Sequence, residues 1–144
     1  MTLSEQGLAL LKARESCRLT AYRDSVGVLT IGWGDTGDVS EGQTITQAEA
    51  DERLAARLVG FEDVINGAVT VALLQNQFDS LVSWAYNVGI GAAAHSTLIM
   101  DINIGNMDAA ASQFDRWHIP PEVTSRRNGE KAQFLGTQFE ARIA

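Results

Sequence analysis

The chain has one cysteine, Cys17, among 144 residues. No intramolecular disulfide and no metal site built on thiolates is therefore open to it, and a lone thiol of this kind reads as a small apolar residue. Its two prolines stand together at Pro120-Pro121 and break the chain at one place only. There is no surplus of positive charge. The net charge of −7 argues against nucleic acid as a partner. No apolar run approaches the length of a membrane span, and the opening Met1-Thr2-Leu3-Ser4-Glu5-Gln6 lacks the basic and apolar regions of an export signal. These absences predict a chain with no membrane anchor that depends on something else to leave a cytosol. His95 and His118 are isolated from each other and from acids at ligand spacing, so neither a metal nor a cofactor is expected. Internal repeats, low-complexity stretches and interdomain linkers are also missing.

What is present is the composition of an ordinary globular protein, 45% apolar and 20% charged. The length suits one domain, 1–144, with a hairpin lobe over about 15–45 and a helical lobe over about 66–144 against which the N-terminal helix packs. Charge is uneven. Between residues 35 and 108 only Arg53 and Arg57 face eleven carboxylates, whereas both ends are mildly basic. Solvated helix faces account for this pattern.

The elements follow from period and punctuation. Thr2 with Glu5 fits a capping box and Ser4 is a rival cap. Leu8, Leu11 and Glu15 then share one helical face, which carries the apolar stripe into an acid and predicts its partial desolvation, a setting that favours a neutral carboxyl. Ser25-Val26-Gly27-Val28 reads as a turn before the β-branched Leu29-Thr30-Ile31, giving a hairpin. A three-residue loop at 26–28 places Asp24 opposite Thr30, and a two-residue loop offsets them by one. Thr46 with Glu49 opens a long helix through Leu54, Leu58, Phe61 and Ile65, closed by Asn66-Gly67. A further helix carries Leu74, Phe78, Leu81, Ala85 and Val88 up to Gly89. Ser96 or Thr97 caps a short helix to Ile104, Met107 to Trp117 marks another, and Thr124 or Ser125 opens the last past Phe134. The architecture expected is α+β: a small lobe with a β-hairpin sheet, joined by a long helix to a larger helical lobe.

Glu15, Asp24 and Thr30 carry the chemistry. Hydrolysis of a glycosidic bond needs two carboxylates in different environments and a means of holding water. Acid, hairpin and then Ile31-Gly32-Trp33-Gly34-Asp35-Thr36-Gly37 closely resemble the phage-type lysozymes, the endolysins of glycoside hydrolase family 24. Their signature is Glu, eight residues, Asp or Cys, five residues, Thr, and then a glycine-rich strand end. The resemblance continues through Asn76 to Ser83, Tyr86 to Gly91, Ser96-Thr97-Leu98, Phe114 to Trp117, and Arg126-Arg127 through Glu130 to Phe134, so that nearly the whole chain is covered.

The resemblance implies a lysozyme-like fold and a muramidase cutting the β-1,4 bond between N-acetylmuramic acid and N-acetylglucosamine. Glu15 becomes the general acid. Asp24 stabilises charge on the sugar or helps activate water, and Thr30 positions that water. Gly34, Thr36, Tyr86, Asn87 and Arg126 fall on cleft-lining positions. For Tyr86 the alternative is a core aromatic with a partnered hydroxyl, and for Arg126 an i, i+4 pair with Glu130. Trp33, Trp84 and Trp117 read as packing rather than sugar-stacking residues. One departure stands out: many relatives carry histidine where this chain has Asp35, which needs another partner such as Arg53 or Arg57. The resemblance also implies a monomer whose partner is the peptidoglycan glycan strand. It would be held in the host cytoplasm until a holin opens the route to the wall in the periplasm. The rivals are a lytic transglycosylase and a catalytically silent wall-binding module; Asp24 and Thr30 beside Glu15 argue against both.

Overall fold

The computed structural model describes residues 1–136; the final residues of the expected helical lobe lie outside the described residues. Helix α1 spans Glu5–Arg14 and is capped by Ser4, whose side chain accepts from the Gly7 amide, so the Thr2–Glu5 box is not the one used. Asp79 decides the matter. Its carboxylate takes both the Ser4 amide and the Ser4 hydroxyl, fixing Ser4 at the helix start. The helix ends at Glu15, whose extended backbone turns the chain toward strand β1 (Arg18–Arg23) and strand β2 (Leu29–Gly32).

β1 and β2 pair antiparallel, with Tyr22 opposite Thr30 and Arg23 opposite Leu29. Asp24 then closes the hairpin against Val28, its amide donating to the Val28 carbonyl at 2.9 Å. The loop is therefore 25–27, one residue earlier than expected, and neither anticipated register occurs. The reason is local. Asp24 Oδ1 accepts from the Val26 and Val28 amides at 3.0 and 2.8 Å, and Gly27, at φ +86°, supplies the left-handed step that closes the turn. A short stretch around Gln43–Ile45 lies along the other edge of β1 through the amide of Ala21 and the carbonyl of Leu19.

Helix α2 (Gln47–Ala68) starts with the Thr46–Glu49 capping box and buries Leu54, Leu58, Phe61 and Ile65 at the expected spacing. It runs through Asn66-Gly67 to Val69, because neither residue is driven out of helical geometry before Ala68. Ala50, near its start, packs in a small cluster with Ile31 and Ile45, whereas the residues from Leu54 onward join the main core. Trp33 packs against both clusters. One helix thus ties the hairpin lobe to the helical lobe.

Helix α3 (Gln75–Val88) is the core's centre: Phe78, Leu81, Val82, Trp84 and Ala85 are inaccessible to solvent. Each such large side chain contributes about 1.5–3 kcal/mol by burial. A short helix α4 (Ile90–Ala94) follows Gly89 and was absent from the sequence reading, since its run of glycine and alanine carries no apolar period. Helices α5 (Thr97–Asn103, capped by Ser96) and α6 (Met107–Gln113) come next, then a 3-10 turn over Phe114–Trp117. Helix α7 (Thr124–Leu135) packs along α3 and has no side-chain cap, in contrast to the expected Thr124 or Ser125. Its inward face is unusual, as it buries Arg126, Arg127, Glu130 and Gln133. Among the described residues no helix is long and apolar enough to cross a membrane.

Candidate active site

Glu15 stands where α1 gives way to the hairpin, and its surroundings are ionic rather than the apolar stripe anticipated. Its side chain is 19% exposed, and its Oε1 accepts from Arg126 Nη1 at 2.5 Å. The other carboxylate oxygen, Oε2, faces Gly34: a Cβ placed on that glycine would come within 3.8 Å of it and 3.9 Å of the Tyr86 hydroxyl. Gly34 holds φ at +88°, a backbone state that side chains disfavour, so it is this turn conformation rather than the space beside the acid that favours glycine here.

Tyr86 spans from α3 to this strand end. Its hydroxyl donates to the Trp33 carbonyl at 2.6 Å and accepts from Arg57 Nη1 at 3.3 Å, and its ring lies against Phe61. It is both a core aromatic with a partnered hydroxyl and a neighbour of Glu15. Burial first, and then Glu15 and Asp35, push its phenol up to about 12 against the pull of Arg57 and Arg126. Arg57 also donates to the Gly34 carbonyl at 2.9 Å. Asp35 finds both expected partners: Arg53 Nη1 at 2.9 Å and Arg57 Nε at 3.8 Å, with the Gly37 amide as a further donor. Asp35 thus anchors the glycine-rich turn to α2.

Behind Glu15 lies a charged cluster. Arg126 uses all three of its nitrogens, on Glu15, on Glu130 Oε2 at 3.1 Å, and on the Ser83 carbonyl at 2.9 Å. The contact with the acid and the i, i+4 pair with Glu130 therefore coexist. Glu130 is wholly buried and also accepts from Arg127 Nη1 and from the Ser83 hydroxyl. Arg14, from α1, donates to Ser83 Oγ and Gln133 Oε1. Burial opposes the charge on each arginine. It lowers Arg14 to about 10 and holds Arg127 below its ordinary value, whereas at Arg126 the carboxylates of Glu130 and Glu15 outweigh it and raise the pKa.

Thr30 is buried on β2, and its hydroxyl donates to the Val28 carbonyl at 2.9 Å, which leaves the oxygen's lone pairs to accept. Since Tyr22 opposes Thr30 and Asp24 opposes Val28, Asp24 and Thr30 are diagonal neighbours on one hairpin face. Asp24 spends Oδ1 on the turn amides. Thr36 lies exposed beyond the Gly34–Asp35 turn. Asn87 is exposed, and its Oδ1 accepts from Arg127 Nη2, which ties it to the charged cluster. Trp84 is fully buried, while Trp33 and Trp117 flank the core, with the Trp33 indole donating to Asp51. Family spacing marks Glu15 and Arg126 and assigns no role to Arg14, Ser83 or Arg127. The available signal was polar residues on otherwise buried helical faces, Ser83 on α3 and the charged face of α7.

The phage lysozyme family model matches residues 12–132. The endolysin of Salmonella phage P22 is 41% identical over 94% of this chain and 99% of its own length. Among solved structures, the endolysin of Escherichia coli O157:H7 phage FAHEc1 superposes with a TM-score of 0.88 at 35% identity, covering 95% of each chain. The muramidase domain of SpmX from Asticaccaulis excentricus superposes with a TM-score of 0.87 at 33% identity, over 93% of this chain and 97% of that one.

Proposed function

Because the chain belongs to the phage lysozyme family and is a glycoside hydrolase of the muramidase type, we propose that it cuts the β-1,4 bond between N-acetylmuramic acid and N-acetylglucosamine in peptidoglycan. Glu15 is the general acid in this reading. The observation that carries it is the division of labour on one carboxyl group: Arg126 engages Oε1, and Oε2 is presented beside the Gly34 backbone. A sugar strand running along that glycine would meet the oxygen that bears the proton.

The chemistry then follows from the hairpin. Protonation of the bridging oxygen by Glu15 leaves an oxocarbenium-like sugar, and Asp24 supplies the negative charge that stabilises it or activates water. Thr30, with its proton committed to Val28, accepts a hydrogen bond from that water and sets its line of attack. Water held between Asp24 and the sugar implies inversion, with the two carboxyl groups about 6.5–9.5 Å apart in the working complex. Gly34, Thr36, Tyr86 and Asn87 line the saccharide path. Arg126 borders it from behind the acid. The chain acts as a monomer, accumulates in the host cytoplasm, and reaches the wall from the periplasmic side after a holin opens the membrane.

Glu15→Gln tests the assignment. The isosteric amide keeps the acceptor for Arg126 and removes the proton, so clearing of permeabilised Gram-negative cells should fall by about 10²–10⁴-fold while the thermal transition stays cooperative. Clearing at the wild-type rate would remove Glu15 from the mechanism. Mass spectrometry of the released muropeptides separates hydrolysis, which leaves reducing ends, from a transglycosylase, which leaves anhydro ends. An α-anomer as first product by NMR is the expected stereochemistry, and a β-anomer would exclude inversion.

A further inference from the structure

An arginine at 2.5 Å from a general acid poses a chemical problem, because an undiluted guanidinium favours the carboxylate over the acid. Here that guanidinium is shared. Glu130 takes Arg126 Nε, Arg127 Nη1 and the Ser83 hydroxyl, and it does so with no solvent exposure. Arg126 therefore serves two negative charges, one catalytic and one fixed. We propose that Glu130 is a positioning residue for catalysis: by dividing the charge of Arg126 it sets how readily Glu15 takes up the proton it delivers. The proposal rests on the reading of Glu15 as general acid.

The charged and titratable groups around Arg126 and Glu15 come from four elements. Helix α1 contributes Arg14, and α3 contributes Tyr86, which is neutral through the working range because its phenol sits near 12. Helix α7 contributes Arg126, Arg127 and Glu130, and the strand-end turn contributes Asp35, itself paired with Arg53 and Arg57 of α2. Around Glu15 and Glu130, three guanidinium groups thus meet two carboxylates. Removing the buried negative charge shifts this balance toward positive in a place water does not screen. A purely structural Glu130 would affect folding stability alone. A positioning Glu130 moves the pH at which the acid works.

The test is the pH–rate profile for digestion of purified sacculi, measured as reducing ends released. Glu130→Gln should move the alkaline limb to lower pH by about one unit, roughly a tenfold loss of rate at a fixed pH on that limb. Arg14→Gln removes a positive charge from the same cluster and should move the limb the other way. The double variant should return it toward the wild-type position. Limbs that superimpose on the wild type in both single variants would overturn the proposal, even if melting temperatures fall. Should Glu130→Gln not fold, Arg14→Gln decides alone: an upward shift supports the proposal and an unchanged limb refutes it. Glu15→Gln run alongside separates the two readings, since full activity there defeats the general-acid assignment itself.

Discussion

At the scale of single residues, Tyr86 shows how one side chain serves packing and site together. Its hydroxyl satisfies the Trp33 carbonyl and receives Arg57, so Tyr86→Phe leaves both short of a partner. A hydrogen bond of this kind is worth about 0.5–1.5 kcal/mol, and that is the expected loss in urea unfolding at neutral pH. The pH dependence has a definite sign. The folded-state value, about 12, lies above the ordinary 10. The phenol's contribution is therefore fully present below pH 10 and is lost as pH rises through about 12. The stability gap between wild type and Tyr86→Phe should shrink over that window. In a tyrosinate absorbance titration, the transition missing from the variant should centre near 12, and one centred near 10 would contradict the buried placement.

At the scale of elements, α1 approaches α3 closely enough to exclude a side chain. A Cβ on Gly7 would come within 2.5 Å of Asp79 Cγ and 2.8 Å of its Cβ. Asp79 cannot swing aside cheaply, since its carboxylate holds Ser4 and Gln75. Gly7→Ala should gain about 1 kcal/mol in helix propensity and lose about 1–3 kcal/mol to overpacking, for a net destabilisation. Asp79→Ala in the same background should recover part of the overpacking term, and additive losses in that double-mutant cycle would show that the two residues do not compete for space. This contact also marks what the sequence could reveal. Periodicity and caps are local, so Thr46–Glu49, the stripe from Leu54 to Ile65 and the buried face of α3 were all legible. The hairpin register was not, because the Asp24 side chain takes the Val26 and Val28 amides and so moves the three-residue loop back by one residue. Helix α4 was invisible for want of apolar period. Glu15, Asp24, Thr30 and Arg126 were singled out through family spacing, and the structure puts Arg126 on Glu15 and Asp24 diagonal to Thr30. The Arg126–Glu130 pair is local and legible as i, i+4, whereas Arg127 and Ser83 converging on Glu130 behind Glu15 had no such signal, since Ser83 lies on another helix.

At the scale of the whole molecule, the two lobes are joined by α2 and by polar contacts across the cleft, and Arg57 makes several of these. Arg57 leaves α2 between the core residues Leu54 and Leu58, and its guanidinium touches Asp35 and the Gly34 carbonyl on one side and Tyr86 of α3 on the other. Arg57→Met keeps the aliphatic stem and removes every one of these polar contacts. Because the Asp35 side chain is only 11% exposed, its loss of one cation should be felt, but Arg53 remains at 2.9 Å, so the destabilisation should stay near 1–2 kcal/mol rather than the larger cost of a stranded charge. The larger effect should appear in lobe geometry. Spin labels at the exposed Val26 and Ile104, in a Cys17→Ser background, report the separation of hairpin tip and helical lobe. The distance distribution should broaden in Arg57→Met, and turnover on sacculi should fall with it, because the Gly34 backbone no longer keeps a fixed position against Glu15. An unchanged distribution with unchanged turnover would show that the remaining contacts hold the lobes without Arg57.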